Sequence, residues 1–297
     1  NECIYQMDTC NLRRSMCQCI RNDQIVLLDV LLKHTSAPKL LRSTHCENIV
    51  PSEYTPTPLI HQALLHENEN IISALARVMG DYLAVVHDAN KDTALHYAAR
   101  GCTKHLQILL RALDARNSLA LPNVSGQIPL HSAISTGNLE NVKLLQAFDL
   151  HAVYFHDVLG KNQALHLAAW TGHTQIFQVV FEAVLPDVRK TTCVHDFTPL
   201  MIACFRGDID IVTFVLDNTP RGHDFDEYLC QTSSLGQTCL HLAVFNGCLS
   251  VVRAILECAP PRLASITNAC GMTAKDLSTS LKNHNVTAYL SRNLQSK

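Results

Sequence analysis

The sequence is short of charge and of the motifs that mark enzymes. Charged residues make up 17% of its 297 residues, the formal net charge is −2, and the pI is about 6.8. A surface for nucleic acid or for an anionic membrane needs a basic stripe, and this balance argues against one. The hydrophobic share is 47%, which favours surfaces that are covered or that bind a partner.

The sequence also lacks the features of membrane spans, signal peptides and common catalytic sites. No apolar run reaches transmembrane length, and no signal peptide is visible. The sequence contains no P-loop, no dinucleotide fingerprint, no nucleophile elbow, and no zincin or kinase signature. We therefore predict a chain without catalytic residues or cofactors, without direct nucleic-acid binding and without membrane insertion. Because the first residue is Asn1 rather than Met, we expect a piece of a longer protein.

Cysteine is abundant in the sequence. The thirteen cysteines are odd in number and scattered along the chain, which does not suit a disulfide framework. Their spacing matches no standard zinc site, so no metal site is predicted. We expect buried, reduced thiols, among them Cys204, Cys239, Cys248 and Cys258.

What the sequence does contain is one short pattern, repeated. It reads TPLMIA in one copy and TCLHLA in the next. Copies begin at Thr57, Thr93, Ile128, Gln163, Thr198, Thr238 and Thr273. The central histidines are His61, His96, His131, His166 and His241, with Met201 in the fifth place. The first five of these six places are 35 residues apart and the last step is 40. Self-similarity at this period indicates a repeat protein.

The physics of one unit can be read from the fifth copy. Thr198 suits a helix N-cap, and Leu200 and Ala203 share the inward face of the short helix that follows. Gly207 suits the left-handed backbone at the end of that helix, and residues 211–215 supply a second apolar stripe. Neither helix is long enough to be stable alone, so each unit must bury its apolar faces against its neighbours.

The pattern resembles the ankyrin repeat over most of the chain. The resemblance includes the T-P-L-H-x-A core, the apolar second helix and the glycine that ends the first helix, at Gly137, Gly172, Gly207 and Gly247. It implies an all-α fold, an ankyrin-repeat solenoid of paired antiparallel helices with short hairpin-like loops and about seven to eight repeats including caps. It also implies that the histidines form hydrogen bonds that tie adjacent repeats together, rather than a metal or catalytic site.

The predicted organisation follows the repeat starts. Residues 1–34 form an N-terminal flank and capping repeat, residues 35–56 a loop, residues 57–290 the ankyrin repeats, and residues 291–297 a tail. The repeats start near 57, 93, 128, 163, 198, 238 and 273. Five extra residues lie within 217–235. Their acidic and aromatic stretch leaves a choice open between a contact loop and an extension of the preceding helix.

The resemblance also implies where a partner protein binds, namely the concave side. The eighth and ninth positions of the pattern and the hairpin tips face that groove. The eighth positions hold Trp170, Phe205 and Phe245, and the ninth positions hold Thr171, Arg206 and Asn246. The hairpin tips hold Leu159, Phe197 and Leu235. Aromatic and arginine side chains are typical binding anchors. The alternative is that the three rings pack against the next repeat or under the insertion.

Two stretches resemble the IκB branch of the family. One is the HQALLHE run from His61, and the other is the lengthened connection before the GQTCLHLA sequence at 236–243. This resemblance implies control of a signalling or transcription complex in the cytoplasm or nucleus, by protein binding alone. The alternatives are a substrate-recruiting domain of a larger enzyme and a cytosolic ankyrin domain of a channel or membrane adaptor.

Overall fold

The computed structural model describes residues 9–33, 41, 58–80, 82–113, 118–155, 163–193 and 196–293. The α-helices are α1 Thr9–Arg21, α2 Ile25–Leu32, α3 Leu59–Leu65, α4 Glu69–Met79, α5 Tyr82–Val85, α6 Ala94–Arg100, α7 Thr103–Ala112, α8 Pro129–Ser135, α9 Leu139–Phe148, α10 Ala164–Thr171, α11 Thr174–Ala183, α12 Pro199–Arg206, α13 Ile209–Asn218, α14 His223–Cys230, α15 Cys239–Asn246, α16 Leu249–Cys258, α17 Ala274–Ser280 and α18 His284–Asn293. Three 3-10 helices span Leu150–Tyr154, Val188–Lys190 and Pro261–Ser265. These described residues form no β-strand, and the predicted all-α fold is confirmed.

The chain divides into two compact units, residues 1–159 and 160–297. In the first unit, α1 and α2 form a helix pair, with a turn in which Asp23 has φ 56°. Helix α3 packs on α1 and α6, and α6 packs on α8. The second helices form a parallel layer in which α4 packs on α2 and α7. This is the stacking of helix pairs that the short apolar helices require.

The second unit repeats the same arrangement. The first helices α10, α12, α15 and α17 pack successively on one another, and the second helices α11, α13, α16 and α18 do the same. Gly172, Gly207 and Gly247 end their first helices in the left-handed conformation, with φ of 76°, 79° and 81°. The glycine of the pattern therefore marks the turn between the two helices of a pair, as predicted.

The histidines of the pattern join each repeat to the next. His61, His96 and His241 are buried, and their Nε2 atoms donate to the carbonyl oxygens of Asp92, Gln127 and Met272 at 2.9, 2.8 and 3.1 Å. His166 bonds the carbonyl oxygen of Thr191 at 3.0 Å. The predicted structural role is confirmed for these four. The position 31 residues after His131 lies outside the described residues.

The insertion forms a helix of its own, so it is neither a loop nor an extension of the preceding helix; its role as a contact stays a prediction. Helix α13 ends at Asn218, and α14 begins five residues later after Pro220 and Gly222. Phe225, Tyr228 and Leu229 lie at positions i, i+3 and i+4 of α14 and are all buried. Pro and Gly break the preceding helix, and this apolar stripe then folds the insertion back onto the unit.

The cysteines divide into two groups. Cys204 and Cys239 are buried free thiols, whereas Cys248 and Cys258 are half-buried. Burial raises the pKa of the Cys204 thiol well above its ordinary value, so it stays protonated. Among the described residues, no three His, Cys, Asp or Glu side chains are grouped so that they could hold a metal ion.

None of the described helices combines the length and the apolar character that crossing a membrane requires.

Candidate protein-binding surface

Three aromatic rings from successive repeats stack into a row, which we call the aromatic ladder. Trp170, Phe205 and Phe245 occupy the same place near the ends of α10, α12 and α15, so the stacking of these helices brings them into register. The Trp170 and Phe205 ring centroids are 6.2 Å apart with an interplanar angle of 11°. Those of Phe205 and Phe245 are 5.9 Å apart at 15°. Such offset stacking orders the three rings relative to one another.

The ladder remains open to solvent on one side. Trp170 is 52% exposed and Phe245 is 51% exposed, while Phe205 between them is half-buried. The rings thus pack against the next repeat, as one interpretation proposed, and still present apolar surface to water. The buried rings of the insertion are Phe225 and Tyr228 of α14, and neither belongs to the ladder. A rigid, half-exposed row of rings is an apolar strip that a partner can cover without ordering it first.

The ninth-position side chains are held by contacts within the unit. Arg206 Nε donates to Asp208 Oδ2 at 2.8 Å, and Asn246 Nδ2 donates to the carbonyl oxygen of Phe205 at 2.9 Å. Thr171 Oγ1 donates to the carbonyl oxygen of Ala168 at 3.1 Å. These side chains therefore brace the helix ends beside the ladder.

The hairpin tips differ in exposure. Leu235 is 60% exposed, and its carbonyl oxygen accepts from the Ala269 N–H at 2.9 Å. Phe197 is half-buried on the loop before α12. Leu159 lies outside the described residues. The structure thus brings together the three eighth-position rings, whereas the tip residues lie on separate loops.

One close contact between repeats was not predicted from the sequence. It joins a ninth-position side chain to the glycine that ends the first helix of the previous repeat. A Cβ atom on Gly207 would lie 2.6 Å from Asn246 Oδ1, and one on Gly172 would lie 2.7 Å from the guanidinium of Arg206. The sequence signal is a polar residue in the ninth position one repeat after Gly172 and after Gly207. Glycine here serves both the left-handed turn and the close approach of the next repeat.

We expect Gly207→Ala to lower the free energy of unfolding by about 2 kcal/mol, roughly half from the left-handed backbone and half from displacing Asn246 from its bond to Phe205. Gly247→Ala is the matched control. Gly247 has the same backbone conformation, but a Cβ atom added there would lie 3.5 Å from Asn283, which is an ordinary van der Waals contact. Urea titrations followed by circular dichroism measure both. Equal losses in the two variants would contradict the role of Asn246.

The first unit places a different group in the eighth position. Arg100 is exposed at the end of α6, but its guanidinium bonds Asp92 Oδ2 at 2.6 Å. Asn123 Nδ2 donates to the other oxygen of Asp92 at 2.8 Å. This cluster ties adjacent hairpin loops together and leaves Arg100 engaged, so the aromatic ladder has no counterpart at this position.

Comparison with known proteins agrees with this geometry. A family model for ankyrin repeats matches three times, over residues 61–152, 165–262 and 200–294, which together cover more than half of the chain. The chain belongs to the ankyrin-repeat family. Ankyrin repeats mediate binding between proteins, and this ankyrin chain is a protein-interaction module.

Two curated relatives match a portion of the ankyrin chain. A Transient receptor potential cation channel subfamily A member 1 homolog from Caenorhabditis elegans is 27% identical over 166 residues, which are 56% of this chain and 13% of the relative. The "Probable E3 ubiquitin-protein ligase XBOS32" from Oryza sativa subsp. japonica is 28% identical over 172 residues, which are 56% of this chain and 31% of the relative. The matched segment of this chain thus spans less than a third of either protein.

Proposed function

We propose that the chain is a non-catalytic scaffold whose second unit binds a partner protein along the aromatic ladder. The half-exposed rings of Trp170 and Phe245 carry this proposal, because none of the described residues covers their exposed apolar surface. Thr171, Arg206 and Asn246 form the polar border of the site, and Phe197 and Leu235 extend it onto the loops. Large rigid rings surrounded by polar groups are the usual composition of an interaction hot spot.

The partner that suits this surface presents an apolar stripe. Each ladder ring has two side-chain torsions and is already stacked, so little conformational entropy is lost on binding. The net charge of −2 over the whole chain provides little long-range attraction, so we expect association to depend on buried apolar area more than on ionic strength.

We expect the triple variant Trp170→Ala, Phe205→Ala and Phe245→Ala to lose binding to its protein partners by about tenfold or more, because truncating central aromatic anchors costs more than about 1–2 kcal/mol. The measurement is quantitative mass spectrometry of proteins recovered on the immobilised chain, followed by a titration of the purified partner.

The control is Phe148→Ala, which removes a 42% exposed ring in the first unit, outside the ladder. Both variants should keep the helical circular dichroism of the parent. Unchanged partner recovery by the folded triple variant would contradict the proposal, as would an equal loss with Phe148→Ala.

The cellular setting has two candidates. One is an IκB-like regulator of a signalling or transcription complex in the cytoplasm or nucleus, supported by the GQTCLHLA sequence and the lengthened connection before it. The other is a substrate-recruiting domain of a larger enzyme, or a cytosolic ankyrin domain of a channel or membrane adaptor. The relatives, a channel homolog and a probable ubiquitin ligase, favour the second candidate.

Sequencing the endogenous protein by mass spectrometry distinguishes these settings. Peptides from a catalytic domain or from an apolar segment of about 20 residues, covalently continuous with this chain, would support the second candidate. A protein with neither would support the IκB-like regulator.

A further inference from the structure

A second, chemically different site lies beside the insertion. Its cavity has a volume of about 330 Å³ and lies between the loop after α11 and the start of α14. We call it the arginine pocket, after Arg189 and Arg221, which line it together with Lys190. Asp187 and Asp224 also line it. The volume is at the lower end for sites that hold a small polar group or ligand.

Each arginine of the pocket is held by the face of an aromatic ring. The Arg189 Cζ atom lies 4.1 Å from the centroid of Phe181, and the Arg221 Cζ atom lies 4.4 Å from that of Phe225. A guanidinium stacked on a ring keeps its N–H edge available for in-plane hydrogen bonds to an oxyanion.

The cations of the pocket are not neutralised by a contact ion pair among the described residues. Arg189, Lys190 and Arg221 form no ion pair there, although Asp187 and Asp224 line the same cavity. The Nε atom of Arg189 is buried and has no hydrogen-bond partner in the described structure. Burial lowers the pKa of Arg189, with Glu182 acting in the opposite direction. A buried donor without an acceptor is costly, and a bound anion would satisfy it.

The insertion is what assembles the pocket. Tyr228 of α14 is buried, and its hydroxyl donates to the carbonyl oxygen of Arg189 at 3.4 Å. Phe225, one turn earlier on α14, supplies the ring for Arg221. The extra residues that interrupt the repeat period thereby bring two loops from different repeats to one cavity.

We propose that the arginine pocket binds a phosphate monoester presented by a phosphorylated segment of a partner protein. Two guanidinium forks and an ammonium match the three acceptor oxygens of phosphate and its charge near −2. Asp187 and Asp224 repel any anion, but three cations against two carboxylates leave the lining with a net charge of +1, which attracts a dianionic phosphate more than a singly charged carboxylate. The near-neutral chain lacks the wide basic field that an anionic membrane needs. The identity of the partner as a protein rests on the proposed function; the pocket does not depend on the aromatic ladder.

The test is nuclear magnetic resonance of the arginine Nε–H groups in the full 297-residue chain. Titration with inorganic phosphate and with O-phosphoserine should shift the Arg189 and Arg221 signals saturably, whereas chloride at equal ionic strength and glutamate should not. Arg221→Gln should weaken phosphoserine binding by about tenfold or more, as expected for a charge-assisted hydrogen bond. Arg253→Gln is the matched control, because Arg253 also lies over a ring, that of Tyr289, but outside the pocket.

Several results would overturn the proposal: no saturable shift with phosphate, equal binding of glutamate, or equal loss with Arg253→Gln. Preference for vesicles of phosphatidylcholine and phosphatidylserine over a phosphoserine peptide would overturn the protein source. If Arg221→Gln does not fold, Lys190→Gln at the partly exposed cation replaces it, with the same expected direction. The aromatic-ladder triple variant should bind phosphoserine normally, so failure of the ladder and failure of the pocket are distinguishable.

Discussion

Acidification from pH 7.5 to pH 5 is expected to lower the free energy of unfolding by about 2 kcal/mol through His61 alone. Burial lowers the pKa of His61 from 6.5 to about 4, against the opposing effects of the Asp92 carbonyl and the Asp88 and Asp92 carboxylates; nearby His87 lowers it further. The unfolded chain takes up a proton on this residue below pH 6.5, and the folded chain does so only near pH 4. Stability is therefore fully present above pH 6.5 and is lost as the pH falls from 6.5 towards 4.

Two other histidines act in the same direction. Burial lowers the pKa of His96 and of His241, opposed by the carbonyl groups that accept their Nε2 hydrogens. Their Nδ1 atoms accept from the backbone N–H groups of Thr93 and Thr238 at 3.1 and 3.3 Å. Protonation of Nδ1 would add an N–H group that faces the backbone N–H group, so two donors would meet without an acceptor. Both units should therefore lose stability in acid.

Urea titrations at pH 7.5, 6 and 5 measure this effect. The control is His61→Gln, which cannot titrate in this range and should be less stable than the parent at pH 7.5. Its pH dependence should be shallower by about one proton per molecule. A parent chain whose stability is constant or rises as the pH falls from 6.5 to 5 would contradict the role of the buried histidines.

Phe225→Ala is expected to cost about 3–5 kcal/mol, the usual range when a fully buried phenylalanine is truncated. Phe225 is 1% exposed and supports both α14 and the guanidinium of Arg221. Helix α14 has eight residues and no stability of its own, so removing one of its three buried apolar side chains should release it from the unit.

Hydrogen exchange of the α14 amides, together with urea unfolding, checks this prediction. We expect exchange in α14 to accelerate by about 100-fold or more, which corresponds to about 3 kcal/mol, while α12 and α15 stay more protected. Phe148→Ala, at a partly exposed ring, should change stability by less than about 1 kcal/mol. Retained protection of α14 in Phe225→Ala would show that the insertion does not depend on this contact.

The features of the structure that recur with the period were predictable from the sequence. The helix pairs and the His61, His96, His166 and His241 bonds follow because the same residue in each copy meets the same neighbour one repeat later. The register of the aromatic ladder follows for the same reason, since Trp170, Phe205 and Phe245 share one place in the pattern. The predicted domain boundaries and the role of the ladder in binding stay predictions.

The features built from non-repeating contacts were not predictable. Helix α14 belongs to no copy of the pattern, and its burial depends on where loops from two repeats meet. The stacking of Arg189 on Phe181 and of Arg221 on Phe225 joins residues with no common spacing. The contact of Asn246 with Gly207 depends on a close approach, 2.6 Å from a Cβ position to Oδ1, which a residue pattern does not record.

The histidine bonds also give the stack a polarity. His61, His96, His166 and His241 all donate from an earlier residue to a carbonyl later in the chain. Removing repeats from the C-terminal side therefore takes the acceptor from an imidazole N–H, whereas removing them from the N-terminal side takes the donor from a carbonyl oxygen. A shortened array would thus present a different group at each new end, a histidine side chain at one and a backbone carbonyl at the other.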